Sequence, residues 1–213
     1  MNDDASPALK LVIAGALGVL YCAGTFDHDL WTPDEPRVAS VGRQVAEGAW
    51  VVPTLNGEPF LEEPPLHAWC VALVYRAFGF ATPSIARAVS AVFGLGGLAG
   101  TYLLAAHLAG RRTGLLAALS LGLSLEYFAT AHRVVVDGAL TFFTTGSTFA
   151  CLRGLGSAAK GRRLAWLALG YMLASLAFLA KGPIGVAVPA LAVLAAAFAA
   201  RDARLILRAQ PWL

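Results

Sequence analysis

The sequence predicts an all-α membrane protein: a polytopic helical bundle of about six spans, with interfacial helices in its first outer loop. Three observations carry that prediction. The 213 residues are 58% hydrophobic and only 14% charged, against roughly 25% charged in soluble domains. Their mean hydropathy is +0.66. The apolar residues gather in runs near the ~20 that a helix needs to cross a bilayer, and most Lys and Arg sit in short connections. Such a composition excludes an ordinary soluble core, because the excess apolar surface requires lipid. The net charge of +3 does not point to nucleic acid, since basic residues in short loops follow the positive-inside bias.

Spans are expected at 8–24, 85–110, 113–130, 134–152, 164–180 and 183–200, the first starting inside. Alternating direction then puts Lys10, Arg111, Arg112, Arg153, Lys160, Arg162, Arg163, Arg201, Arg204 and Arg208, ten of the 16 basic residues, on the cytoplasmic side. The segment 25–65, with Asp27, Asp29, Asp34, Glu35, Glu47, Glu58, Glu62 and Glu63, faces outward. The chain reads as one transmembrane domain, 1–213, whose outer loop, 25–84, carries the chemistry-bearing residues. Cys22, Cys70 and Cys151 are isolated and odd in number, as packing residues are. Residues 1–24 do not read as a cleaved leader: Asp3 and Asp4 are acidic, and Lys10 is the first base. Gly96 and Gly100 form a GxxxG pair, expected to pack helices within the chain.

The outer segment contains two helix patterns. Thr32-Pro33-Asp34-Glu35 looks like a helix start, with Thr32 as cap, Pro33 at the first helical position and Glu35 closing a capping box. Val38, Val41 and Val45 recur on one face, and Gly48 can end the helix, which is expected along the membrane surface. A second apolar helix over about 65–78 is too short for a comfortable span and should lie at the interface, with Trp69 and Tyr75.

Seven residues from separate stretches meet at the outer face under this topology: Asp34, Arg37, Glu62, Glu63, Arg133, Asp137 and Lys181. Asp34 can pair with Arg37 one turn on. A guanidinium such as Arg37 also binds phosphate bidentately. Arg133 and Asp137, four residues apart, can share one helix face, and ionisable groups at membrane depth usually face a cavity or a partner. Lys181, in Lys181-Gly182-Pro183, runs against the inside bias, although a flank lysine can also snorkel. The four histidines, His28, His67, His107 and His132, have no HxxxH or HxH spacing.

Trp31-Thr32-Pro33-Asp34-Glu35-Pro36-Arg37, Gly48-Ala49-Trp50-Val51-Val52-Pro53, Asn56-Gly57 and Leu61-Glu62-Glu63-Pro64-Pro65-Leu66 together resemble the first outer loop of the GT-C glycosyltransferases. Nearest are the aminoarabinose transferase of lipid A and the dolichyl-phosphate-mannose-protein mannosyltransferase-like proteins. The Arg133…Asp137 and Phe178-Leu179-Ala180-Lys181-Gly182-Pro183 blocks are similar too. The resemblance runs from about residue 8 to the end and implies the amino-terminal half of such an enzyme. It implies transfer of a sugar from a polyisoprenyl-phosphate donor to a lipid, glycan or protein acceptor, at the outer face of the inner membrane. Asp34 is then the catalytic carboxylate. Arg37 and Lys181 hold phosphate, Arg133 assists, Asp137 orients a basic partner, and Glu62 and Glu63 line the substrate site. Glu63 departs from the Glu-Lys-Pro common in lipid A enzymes. In some relatives the residue matching Glu62 contacts a divalent metal together with later histidines. No such histidines are visible here, so no metal ligand is assigned. Two alternatives stay open from the residues: a non-enzymatic membrane protein, such as a transporter half or assembly subunit, and an inactive truncated remnant.

Overall fold

The computed structural model describes residues 7–23, 29–30, 33–202 and 204–209. Ten helices and one hairpin follow in order: α1 (Pro7–Cys22), α2 (Asp34–Glu47), β1 (Thr54–Leu55), β2 (Glu58–Pro59), α3 (Leu66–Phe78), α4 (Pro83–Ala109), α5 (Arg111–Gly122), α6 (Leu125–Ala131), α7 (Asp137–Leu155), α8 (Lys160–Lys181), α9 (Ile184–Ala199) and α10 (Arg204–Arg208). Each expected span contains helix, but the lengths differ from the expectation. Among the described residues, α4 and α8 are long and apolar enough to cross a membrane, and α5 with α6 would make a third if counted as one span. The expected continuous span over 113–130 is instead broken, bending by 71° between α5 and α6. At the break Ser124 turns its hydroxyl back onto the Leu121 carbonyl (2.8 Å), the kind of local bond that competes with a helix ladder.

The bundle hides small and hydroxyl residues and exposes large apolar ones. α7 lies between α4 and α8 and also packs on α9. Thr144, Thr145 and Thr148 of α7 return their hydroxyls to carbonyls four residues back, and Ser147 donates to the Gly170 carbonyl of α8 at 2.8 Å. The hydroxyls are thus satisfied, as a membrane interior demands. Close approach is made by glycines: a Cβ at Gly96 would meet Phe142 at 2.7 Å, and one at Gly100 would meet Thr145 at 2.7 Å. The GxxxG pair therefore seats α4 against α7 inside the chain. Val19, Val92, Leu116, Met172, Leu191 and Phe198 point outward and are exposed. In a membrane protein this is the lipid-facing surface.

At one end, α2, the hairpin and α3 form a layer over the bundle. Val38, Val41 and Val45 are buried, as their spacing predicts. They pack on Val71, Ala68 and Ala72 of α3. Gly48 ends α2 at φ 139°, and its N–H reaches the carbonyls of Gln44 and Val45. The start of α2 corrects the expectation. Pro33 occupies the cap position instead of the first turn, and Thr32, with the capping box expected between it and Glu35, lies outside the described residues. Tyr75, expected at an interface, is buried between α2, α3 and α4. Asn56 and Gly57 both take positive φ (54° and 87°), as a tight two-residue hairpin turn requires. That turn pairs Thr54 with Pro59 and Leu55 with Glu58, and so aims the following Glu62-Glu63 back over α2.

Candidate active site

Helix ends assemble the site. Asp34 opens α2, Asp137 opens α7 and Lys181 closes α8, each in the place its charge suits the helix dipole. Arg37 lies one turn into α2. It donates from Nη2 to Asp34 Oδ1 at 3.2 Å and from Nη1 to Glu62 Oε2 at 2.6 Å. The ring of Phe60 lies 5.9 Å from its guanidinium carbon. Its Nε is buried and has no hydrogen-bond partner among the described residues. Lys181 donates to Asp137 Oδ1. Asp34, Asp137 and Lys181 remain open to solvent, with side chains 58%, 48% and 39% exposed.

Glu63 joins the two pairs. It is half-buried, and burial pushes its carboxyl above the ordinary carboxylate range. Lys181 and then Arg37 pull it down, while Asp137 and Asp34 push it up. One carboxyl therefore feels all four charged neighbours, which places them around a common space. Behind it, Glu63, Pro64, His67 and Val136 line a small cavity of about 10 Å³. His67 is buried there, and burial holds its imidazole down at about 4, so the ring is neutral. Its Nε2 lies 3.3 Å from Ser90 Oγ, and its Nδ1 has no partner among the described residues.

Arg133 corrects the sequence reading. It does not share a helix face with Asp137, because residues 132–136 form a turn between α6 and α7. Asp137 pairs with Lys181 instead, and Arg133 is exposed. The other six expected residues, Asp34, Arg37, Glu62, Glu63, Asp137 and Lys181, come together.

Sequence reasoning missed the strut beneath them. Arg87, in the first turns of α4, is fully buried and reaches both carboxylate oxygens of Glu35, Nε to Oε1 at 2.9 Å and Nη2 to Oε2 at 3.0 Å. Nη2 also donates to the Asp29 carbonyl at 2.7 Å, and the N–H of Val134 donates to Glu35 Oε1 at 2.9 Å. Four separate stretches are tied at one ion pair. The signal was an arginine inside an apolar run, a position that calls for a buried partner. Among the described residues, no three His, Cys, Asp or Glu side chains converge into a metal-donor set.

The arrangement can bring Arg37 and Lys181 to a phosphate and a solvent-open carboxylate, Asp34, to a proton. Comparisons with known proteins bear on the fold and the family. An uncharacterized protein of Aquifex aeolicus is 34% identical over 81% of the chain and 34% of its own length. An undecaprenyl phosphate-alpha-4-amino-4-deoxy-L-arabinose arabinosyl transferase of Shewanella sediminis is 30% identical over 90% of the chain and 35% of its own length. The chain thus spans about a third of the length of these relatives. The crystal structure of ArnT from Cupriavidus metallidurans bound to undecaprenyl phosphate superposes with a TM-score of 0.85 at 26% identity, covering 96% of this chain and 38% of that one. Its apo state gives 0.79. The fold is therefore the membrane helical fold of that enzyme. The model of the dolichyl-phosphate-mannose-protein mannosyltransferase family matches residues 62–213, and this membrane protein belongs to that family.

Proposed function

We propose that this chain carries the donor-binding and catalytic part of a glycosyltransferase that moves a sugar from a polyisoprenyl phosphate to a lipid, glycan or protein acceptor. The observation that carries the reading is the ring of Asp34, Arg37, Glu62, Glu63, Asp137 and Lys181 at one end of a bundle, in a fold shared with a protein bound to undecaprenyl phosphate. In the reaction the acceptor oxygen attacks the sugar's C1. The bond from C1 to the phosphate oxygen breaks, and Asp34 takes the acceptor's proton. Its solvent-open carboxylate suits that task. Arg37 and Lys181 exchange Glu62 and Asp137 for the phosphate and offset the charge it gains as the sugar leaves. The remaining carboxylates face a ring that becomes positive. At Glu63, where related lipid A enzymes commonly carry lysine, burial pushes the carboxyl above the ordinary carboxylate range. Arg133 stands on the exposed turn beside the site, where it can meet a bulky acceptor.

The same reading places the protein in the inner membrane as one transmembrane domain, amino terminus in the cytoplasm and site facing outward. The positive-inside distribution supports that orientation. The test is transfer of radiolabelled sugar from polyprenyl-phosphate donors to membrane acceptors, in cells with the wild-type chain, with Asp34→Asn, and with neither. Transfer that appears with the wild-type chain and vanishes with Asp34→Asn supports the reading. No transfer from a correctly inserted wild-type chain refutes it for the chain alone.

A further inference from the structure

A second polar cavity, of about 210 Å³, lies at the far end of the bundle from the acidic site. The helices themselves fix that placement. α7 begins at Asp137 and ends at Leu155, and α8 begins at Lys160 and ends at Lys181, while α4 begins at the Arg87–Glu35 strut and ends at Ala109. The cavity is lined by His107 from the last turn of α4, Arg153 from the last turn of α7, Ser157 from the turn that follows, and Arg162 from the first turn of α8. From the lining ring of His107 an aromatic stack runs across the three helices, with one ring from each. His107 meets Phe149 edge-on at 5.9 Å, and Phe149 meets Trp166 edge-on at 5.7 Å. Ser157 donates to the Arg153 carbonyl at 2.9 Å and so closes the α7–α8 turn. Arg153 Nη1 lies 3.5 Å from His107 Nδ1.

This cavity is the electrostatic opposite of the active site. Residues 64–125 and 138–201 contain no Asp or Glu. The three helices therefore bring no carboxylate to it, and among the described residues neither Arg153 nor Arg162 has an ion pair. Two guanidiniums lining one cavity without a counter-ion form a site for an anion, and their planar forks match phosphate oxygens. Apolar residues close by in the chain show where that anion comes from. Leu108 follows the lining residue His107, Leu164 stands two residues after Arg162, and both are exposed. A free ion has no use for them, whereas an acyl chain does. Basic pockets between membrane helices are known to take anionic headgroups.

We propose that this cavity binds the phosphate of an anionic phospholipid headgroup. Arg153 and Arg162 grip the phosphate oxygens, and the acyl chains lie over Leu108 and Leu164. The site rests on the chain's membrane location and not on sugar transfer.

The test is native mass spectrometry of the chain released from detergent micelles with phosphatidylglycerol or phosphatidylcholine added. The wild-type chain should retain phosphatidylglycerol preferentially. One basic side chain at a membrane contributes about a fivefold preference for anionic lipid. Arg153→Gln/Arg162→Gln should therefore lose about twenty-five-fold of the preference. Arg204→Gln/Arg208→Gln, an equal loss of charge outside the cavity, should keep it. If the cavity double variant fails to fold by circular dichroism, the single Arg162→Gln variant should still lose about fivefold. Equal losses in the two double variants would overturn the proposal in favour of diffuse surface charge. Occupancy by inorganic phosphate with no preference for the lipid would overturn the lipid assignment. A chain that fails the sugar-transfer test can still pass this one.

Discussion

Glu35 and Arg87 stand 52 residues apart in sequence and meet through two hydrogen bonds, at 2.9 and 3.0 Å, with side chains 2% and 0% exposed. The pair fixes the base of α2 to the top of α4, and the bond from Val134 adds the turn that leads into α7. It therefore sets the distance between Asp34 and Asp137 without touching a substrate. Removing one partner leaves the other charged and buried. Arg87→Ala should cost about 3–5 kcal/mol of stability, read as a lowered thermal midpoint in detergent. Glu35→Gln keeps the shape and should cost less than Glu35→Ala.

Asp34 predicts the reverse behaviour. It is exposed, and it pairs with Arg37, a neighbour on the same helix. Asp34→Asn should leave the thermal midpoint unchanged and lower the rate of sugar transfer by about 10²–10⁴-fold, the usual contribution of a positioned proton acceptor.

The Lys181–Asp137 pair separates binding from stability. An exposed pair contributes about 0–1 kcal/mol, so Lys181→Gln should melt like the wild type. The same change removes a charged donor from the phosphate. Donor binding should weaken by about ten- to hundredfold, visible as a raised KM for polyprenyl-phosphate sugar.

Glu63 should make stability depend on pH. Its carboxyl titrates above the ordinary range when folded, chiefly because it is buried. The folded chain holds that proton more tightly than the unfolded chain. The stabilisation is complete below the ordinary carboxylate range and is lost as pH rises through the folded value. Glu63→Gln, neutral at every pH, should remove that slope and raise the midpoint at neutral pH. Thermal unfolding of both chains in acidic and neutral buffer checks it.

The α4–α7 contact gives a packing prediction. A Cβ at Gly100 meets the Thr145 hydroxyl at 2.7 Å, and that hydroxyl already donates to the Thr141 carbonyl at 2.6 Å. Gly100→Val should destabilise by about 1–3 kcal/mol through overpacking, measured as a lowered thermal midpoint. Gly15→Val, where a Cβ meets nothing within 4 Å, serves as the control.

Much of this was legible in the sequence where one local pattern decides the outcome. The three valines of α2 repeat at helical spacing and are buried, and the short apolar stretch of α3 stops at Gly79 in the left-handed conformation. Asp34, Arg37, Glu62, Glu63, Asp137 and Lys181 were brought together by a topology drawn from charge alone. Hydropathy is blind to direction, however, so the bend before Leu125 left no mark beyond a single serine. The Arg133–Asp137 pairing assumed an unbroken helix, and the turn at 132–136 removed that assumption. The pairing of Glu35 with Arg87 in another helix was missed, because long-range ion pairs have no period to read.

Under the proposed function, the ion pairs of the site also set how a donor must enter. Arg37 and Lys181 already hold carboxylates, so an arriving phosphate displaces internal counter-ions instead of filling bare positive charge. Binding becomes an exchange of one anion for another with little long-range attraction. Donor capture should therefore respond only weakly to ionic strength, unlike steering by unpaired charge. Lipid donors that diffuse in the plane of the bilayer reach such a site without needing a field to guide them.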